Sequence, residues 1–358
     1  MKTTCFLALL ALCAAGQPLD AAELEWLTVS KDGQSFVGAA SGARFVAWGF
    51  NYDRDYKSRL LEDYWETEWQ TVAGDFREMK ALGANVVRVH LQLARFMEGP
   101  EKPDRKALEQ LGRLVVLAEQ TGLYLDITGL GCYRKSAVPR WYNDATEEQR
   151  WAAQACFWEA VAECCAHSPA VFFYDLMNEP VVPSGKRQAG DWLTGELGGL
   201  CYVQFIALDQ GGRARPEISR QWIARLVAAI RKHDSRHLIS VGLLPDADGK
   251  SGFVPKEVAR EVDFLCVHLY PDGAKPAEDL KTVEAFAVGK PLVIEETFLL
   301  KCTAGQLRHF IDASAKHVSG WLGFYWGRTP AQLRGSKDMG DALMLSWLEL
   351  FQEGKPGK

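Results

Sequence analysis

Apolar residues along this chain recur with two alternating periods. Short runs at 85–91, 123–127, 171–174, 237–241, 264–267, 291–296 and 321–326 are too brief for helices and rich in β-branched and aromatic residues, so they read as buried strands. Between them, segments 67–82, 104–120, 146–166, 216–232, 255–262, 277–287, 304–316 and 338–351 carry apolar residues at helical spacing. A further run at 44–50 precedes the first helix, so eight strands alternate with eight helices. Local signals support the boundaries: Gly83 and Gly122 stand where helices should stop, and Glu148 lies in a first turn, where the helix dipole favours negative charge. Such alternation implies a parallel sheet, and eight units of this kind close as a single α/β barrel, the (β/α)8 or TIM barrel. Ahead of it, 26–29 and 36–37 flank Lys31-Asp32-Gly33, an Asp-Gly turn that predicts an N-terminal β-hairpin lying as a lid on the barrel floor.

One connection breaks the rhythm. Residues 181–215, the long loop after strand four, carry Trp192, Tyr202 and Phe205 together with Gly190, Gly195, Gly198 and Gly199. Connections of this length are usually functional or disordered, and the aromatic residues predict an ordered wall beside the active face. No linker, repeat or low-complexity run divides the rest, so one catalytic domain is expected over residues 23–354. A length of 358 residues suits a single barrel, since α/β barrels of about 250 residues or more form one domain.

Composition narrows the picture. Apolar content of 47%, charged content of 24% and a net charge of −5 are globular values. No Lys/Arg cluster is present, so a nucleic-acid partner is not expected. Residues 1–16 read as a signal peptide: Lys2 starts it, 6–15 form its apolar core, and Ala14-Ala15-Gly16 offers a small-residue cleavage site. The run is shorter than the roughly 20 residues a membrane-spanning helix needs, which predicts a secreted or periplasmic chain, free of the membrane once the signal is removed. Cys5 and Cys13 fall within the signal; the other seven cysteines are an odd set without CxxC spacing, which allows one or two disulfides at most. No HExxH motif occurs, and Asp246-Ala247-Asp248-Gly249 imitates a calcium loop only until Lys250 and Ser251 occupy its ligand and glycine positions. Metals and cofactors are therefore not expected, and a monomer is.

The chemistry gathers at the strand ends, where barrel enzymes place it. Strand one delivers Asn51; strand two ends with Arg88 and His90, two apart and so on one face. Strand four runs into Asn178-Glu179-Pro180, strand six ends with His268 and Tyr270, strand seven with Glu296 and strand eight with Trp326. A salt-bridge layer capping the core would explain buried charges, but not this combination of carboxylates with His, Tyr and Trp. Glycoside hydrolysis would: one carboxyl gives its proton to the leaving oxygen, and the other, ionised, attacks the anomeric carbon. Arg88 near Glu296 would keep that carboxylate charged, and an indole such as Trp326 suits the apolar face of a sugar. Trp141 and Trp192 are candidates for further sugar platforms.

With these residues in place, the sequence resembles the retaining β-glycosidases of glycoside hydrolase clan A, most nearly the family 5 cellulase-like proteins, over essentially the whole mature chain. The resemblance implies that Glu179 is the acid/base and Asn178 the contact to the sugar 2-hydroxyl. It selects Glu296 as nucleophile, because a Pro stands five positions before it, at Pro291; the adjacent Glu295 is the competitor. Arg88, His268, Tyr270 and Trp326 match family positions. Two departures stand out: Thr128 occupies the usual histidine position in Asp126-Ile127-Thr128-Gly129, and Thr297-Phe298 follow the nucleophile where an aromatic and Gly are common. The expected function is a secreted retaining hydrolase of β-linked glucan- or mannan-type oligo- or polysaccharides, endo-β-glucanase or mannanase-like. The alternatives are an exo-acting β-glycosidase or transglycosylase on short oligosaccharides and, against the presence of both carboxylates, a non-catalytic carbohydrate-binding barrel.

Overall fold

The computed structural model of the protein describes residues 24–188 and 190–356; the predicted signal peptide, with Cys5 and Cys13, lies outside them. Eight strands form a closed parallel barrel in chain order: β1 (Ala47–Asn51), β2 (Val86–Gln92), β3 (Tyr124–Gly131), β4 (Val171–Asn178), β5 (Leu238–Leu243), β6 (Leu265–His268), β7 (Leu292–Glu296) and β8 (Gly320–Phe324). The first six strands are buried along their whole length, which explains why they read as continuous apolar runs rather than alternating ones.

The helices between the strands start and stop on side-chain chemistry. Asp104 caps the helix Arg105–Thr121, which ends on Gly122 in the left-handed region at φ 65°. Thr146 and Gln149 form a capping box on Glu147–Cys165, and Thr303 and Gln306 form another on Ala304–Ser314. The helix expected over 255–262 is one turn only, Pro255–Val258. Among the described residues no helix is long and apolar enough to cross a membrane.

The N-terminal hairpin, Leu27–Val29 with Phe36–Gly38, gains a third strand, Arg44–Phe45. Strand one was expected to run unbroken over 44–50. It is split instead, because Arg44 pairs with Val37 while the Asn85 side chain bonds the Val46 carbonyl and the Trp48 amide, seating the chain afresh for β1. Phe36 plugs the barrel floor, edge-on to Phe172 at 4.9 Å and Phe264 at 5.0 Å. The seven cysteines in the described residues are all free thiols, so no disulfide is formed among them; Cys132, Cys165, Cys201 and Cys266 are buried as small apolar groups.

The long connection after β4 contains regular structure. Pro180–Val181 pairs in parallel with Leu200–Phe205, which pairs antiparallel with Leu193–Leu197. Gly198 and Gly199 make the tip, both at positive φ (60° and 79°), as a two-residue I′ turn requires. This hairpin stands on the catalytic rim of the barrel.

Truncating the floor plug should weaken the whole domain. Phe36→Ala is expected to cost about 3–5 kcal/mol, read as a lower denaturant midpoint at an unchanged slope. A loss under about 1 kcal/mol would show that the lid is an ornament on a barrel closed without it.

Candidate active site

Strand register builds the site. Asn51, Arg88 and Asp126 are lateral neighbours across β1, β2 and β3, and His90, Thr128 and Asp175 are neighbours one layer higher. Arg88 is fully buried and every one of its five N–H donors is used. Nε donates to Thr128 Oγ1 at 2.7 Å; one terminal nitrogen donates to Asn51 Oδ1 at 2.9 Å and Glu296 Oε1 at 2.6 Å; the other to Asp175 Oδ2 at 2.8 Å and Asn178 Oδ1 at 3.0 Å. Glu295 at 3.4 Å and Asp126 at 3.6 Å complete a ring of four carboxylates about this one cation. Burial works against its charge, but these carboxylates outweigh it and hold the guanidinium firmly protonated.

His268 is the second cation. Burial lowers its pKa, yet the field of Glu296 and the bonds to Glu179 and Glu295 raise it to about 10. The imidazolium donates Nδ1–H to Glu179 Oε1 at 2.9 Å and Nε2–H to Glu295 Oε2 at 3.0 Å. Glu295 is fully buried, and Arg88 and His268 hold its pKa down against the effect of burial. Both oxygens of Asp126 and Oε1 of Glu295 lack a donor while all are ionised. A proton on Asp126 supplies one, consistent with burial and the nearby Glu295 pushing the pKa of Asp126 well up. His90 stays neutral, its pKa driven down by burial, Arg88 and His268. Its Nδ1 faces the Tyr133 hydroxyl at 2.5 Å and its Nε2 faces Asn51 Oδ1 at 3.4 Å, so the tautomer that fits donates from Nε2.

Glu179 departs from strand geometry. Consecutive strand residues point to opposite faces, but Glu179 sits at φ 45°, a left-handed conformation that costs about 1–3 kcal/mol in a non-glycine residue. That kink brings its carboxylate into the same cavity as Asn178. Its amide is pinned to the Gly242 carbonyl at 2.9 Å. Gly242 itself must lack a side chain, since a Cβ would lie 2.7 Å from Glu295 Oε2 and 2.8 Å from His268 Nε2.

The catalytic-type groups open into a cavity of ≈ 270 Å³, lined by Glu179, Glu296, Asn178, His90, Tyr270 and Trp326 and also by Asp53, Arg54, Tyr202 and Phe298. Tyr270 donates its hydroxyl to Glu296 Oε2 at 2.5 Å. A larger cavity of ≈ 970 Å³ lies on the other side of the hairpin, among Lys186, Arg215, Asp246 and Lys281; it lacks the carboxylate pair, so chemistry rather than size picks the site. Glu179, His268 and Glu296 offer oxygen and nitrogen atoms within 4.8 Å of one another, as a metal would need, but an imidazolium has no lone pair to give.

Several expected contacts sit elsewhere. Arg88, Asn51 and His268 lie beneath the cavity and do not face it: Arg88 has no free donor, and Asn51 gives its amide to the Glu295 and Gly323 carbonyls. Trp192 is 1% exposed, bonded through Nε1 to Asn143 and packed on Tyr142, so no sugar can stack on it. Trp141 packs edge-on against Tyr142 and is not in the cavity wall. Sequence reasoning passed over Asp175 and Asp126 as ligands of Arg88, although the two-residue spacing of Asp126 and Thr128 matched that of Arg88 and His90.

A protein-family model described as cellulase (glycosyl hydrolase family 5) matches residues 41–317. Mannan endo-1,4-beta-mannosidase A of Emericella nidulans is 24% identical over 239 residues, covering 58% of this chain and 53% of that protein. Among solved structures, the exo-beta-1,4-mannosidase Op5Man5 from Opitutaceae bacterium strain TAV5 superposes with a TM-score of 0.69 at 19% identity, over 91% of this chain and 61% of that one. The endo-1,4-beta-mannanase from Rhizomucor miehei gives 0.60 at 16% identity, over 92% and 100%. The chain thus spans a little over half the length of the Emericella enzyme and of Op5Man5, and the structural likenesses speak to the fold. The family match covers most of the barrel and includes both carboxylates of the cavity: the chain belongs to glycosyl hydrolase family 5.

Proposed function

We propose that the chain is a retaining β-glycosidase acting on β-mannan-type saccharides by double displacement, with Glu296 as nucleophile and Glu179 as acid/base. One observation carries this reading: carboxylate oxygens of Glu179 and Glu296 lie within 4.8 Å of each other. Retaining enzymes hold the two groups about 5–5.5 Å apart, whereas inverting enzymes leave about 6.5–9.5 Å for a water. Glu296 receives hydrogen bonds from Arg88 and Tyr270, one on each oxygen, which fix its direction of attack. Glu295, the competing nucleophile, is buried beneath the cavity and engaged with His268.

The imidazolium of His268 donates to Oε1 of Glu179, so a proton carried by Glu179 resides on Oε2. From there it passes to the leaving oxygen in the first step. In the second, the carboxylate takes a proton from the water that attacks the glycosyl-enzyme ester, and Glu296 departs. The indole of Trp326 offers a sugar platform and Asn178 a hydroxyl contact. The mannan-type substrate is supported by the names of the relatives, which are mannosidases and mannanases. The hairpin in the cavity wall favours a second reading, action on short oligosaccharides from their ends. Export to the periplasm or medium, supported by residues 1–16, and action as a monomer complete the proposal.

Substitution separates the two acids. Glu296→Ala should abolish turnover of every glycoside, while Glu179→Ala should lose about 10²–10⁴-fold on natural mannosides yet keep the first step on aryl mannosides with very good leaving groups, seen as a burst of released phenol. Equal losses on both substrate types in both variants would overturn the assignment.

The charge on His268 gives a pH signature. Its folded pKa of about 10 lies above the ordinary 6.5, so its contribution to stability is complete below pH 6.5, declines as pH rises and is lost beyond about 10. Unfolding midpoints measured from pH 6 to about 10 should fall more steeply in the native chain than in His268→Gln. Parallel curves would show that His268 is not the buried cation.

A further inference from the structure

The acid/base fixes the direction in which a substrate must lie. Glu179 ends β4 and protonates the leaving oxygen, so the departing part of the saccharide runs out on that side. The opposite side of the closed ring belongs to β8 and β1. Asp53 and Arg54 follow β1, and Trp326 follows β8. The Arg54 guanidinium stands 4.7 Å over the Trp326 ring and donates to the Tyr202 hydroxyl at 3.2 Å. Tyr202 belongs to the hairpin, whose tip at Gly198 also comes up against Arg54. The far end of the cavity is thus spanned by a continuous clasp from the hairpin through Arg54 to Trp326.

Asp53 lies within that closed end. It is 5% exposed, lines the cavity, and accepts the Trp326 indole N–H at 3.2 Å on Oδ1. Among the described residues no other side chain bonds its carboxylate. A carboxylate in a cavity wall that meets a single side-chain donor has acceptor capacity left to offer an occupant, and burial has already pushed its pKa up to about 6. The hydroxyls of a sugar are such donors.

We propose that Asp53, Arg54, Tyr202 and Trp326 close the glycone end of the cavity, which takes one non-reducing terminal sugar, reads its hydroxyls with Asp53 and removes it from the chain end. This rests on the glycosidase reading above. A saccharide bound in mid-chain needs an exit at each end of the cavity, and the clasp of Tyr202, Arg54 and Trp326 stands across the glycone end. The cavity, ≈ 270 Å³, is also small beside typical ligand pockets of about 300–1,000 Å³.

The test is a binding comparison that requires no turnover. Glu296→Gln is titrated calorimetrically with mannotetraose and with the same tetraose methylated at O4 of its non-reducing end. Methylation should weaken binding by about tenfold or more, because the added group meets a closed wall and removes a donor. In the background of Tyr202→Phe with Arg54→Ala, which opens the clasp, the methylated ligand should regain most of that loss. Equal affinity for the two ligands, or no recovery on opening, overturns the proposal. Turnover is measured separately on the native chain with reducing-end-labelled mannohexaose: mannose and labelled pentaose as first products support the closed end, and internal fragments overturn it. If the native chain cleaves no glycoside at all, the glycosidase reading fails, while the calorimetric comparison still decides whether the pocket ends at Asp53.

Discussion

The site depends on one buried guanidinium. Arg88 is fully buried with no spare donor, and four carboxylates crowd it within hydrogen-bond or ion-pair reach. Gathering so many acids in a barrel core would be prohibitive without it, since desolvating each ion costs several kcal/mol even after relaxation. The arrangement is tolerable because the charges are nearly matched. With Asp126 carrying a proton, Arg88 and His268 face Asp175, Glu295 and Glu296, and nearly every oxygen meets a donor. Such a network contributes little net stability compared with an apolar core. What it does supply is a Glu296 carboxylate whose direction is fixed by donors on both oxygens.

Two local departures from good backbone chemistry serve this network. Glu179 adopts a left-handed conformation that turns its carboxylate toward Glu296, and β5 gives up a side chain at Gly242 so that Glu295, His268 and Arg88 can meet. The departures are linked through a single hydrogen bond, from the Glu179 amide to the Gly242 carbonyl. The shift in register at Ser240–Gly242 places that carbonyl opposite the end of β4. Strain at Glu179 is thus held in place by a neighbouring strand that is itself irregular, where regular strand geometry would have aimed its side chain out of the cavity.

The barrel and the polar residues at its strand ends could be read from sequence because both follow from short-range periodicity. Short runs rich in apolar and β-branched residues suit strands buried on both faces of a parallel sheet, and residues two apart share a face, so Arg88 with His90 and His268 with Tyr270 were visible in the sequence. What stayed hidden depends on distances between strands. Nothing local distinguishes Arg88 beneath the cavity from Arg54 in its wall, or Trp326 in the cavity wall from Trp192 as packing. Asp53 stands two residues past the end of β1, and its place in the cavity wall is set by Trp326, far away along the chain. Gly198 and Gly199 were among the glycines of the long loop, and only the structure shows that this adjacent pair, both at positive φ, makes the tight turn of a hairpin.

The hairpin's aromatic residues explain how a long connection can serve as a wall. Trp192 at its base is wedged between Tyr142 and the Arg150 guanidinium, which stands 5.0 Å over the indole, and its N–H is tied to Asn143. Phe205 at the end of its second strand lies under Arg187 at 3.9 Å. Along that strand the Cys201 amide donates to the Tyr133 carbonyl and the Gln204 side chain to the Leu130 carbonyl, both at 2.8 Å. Of the three aromatics, Tyr202, between these two anchors, is the one that lines the cavity, and its hydroxyl meets Arg54. The three aromatics therefore divide the work of the wall: two anchor the hairpin, and their anchoring is what sets the third against the cavity.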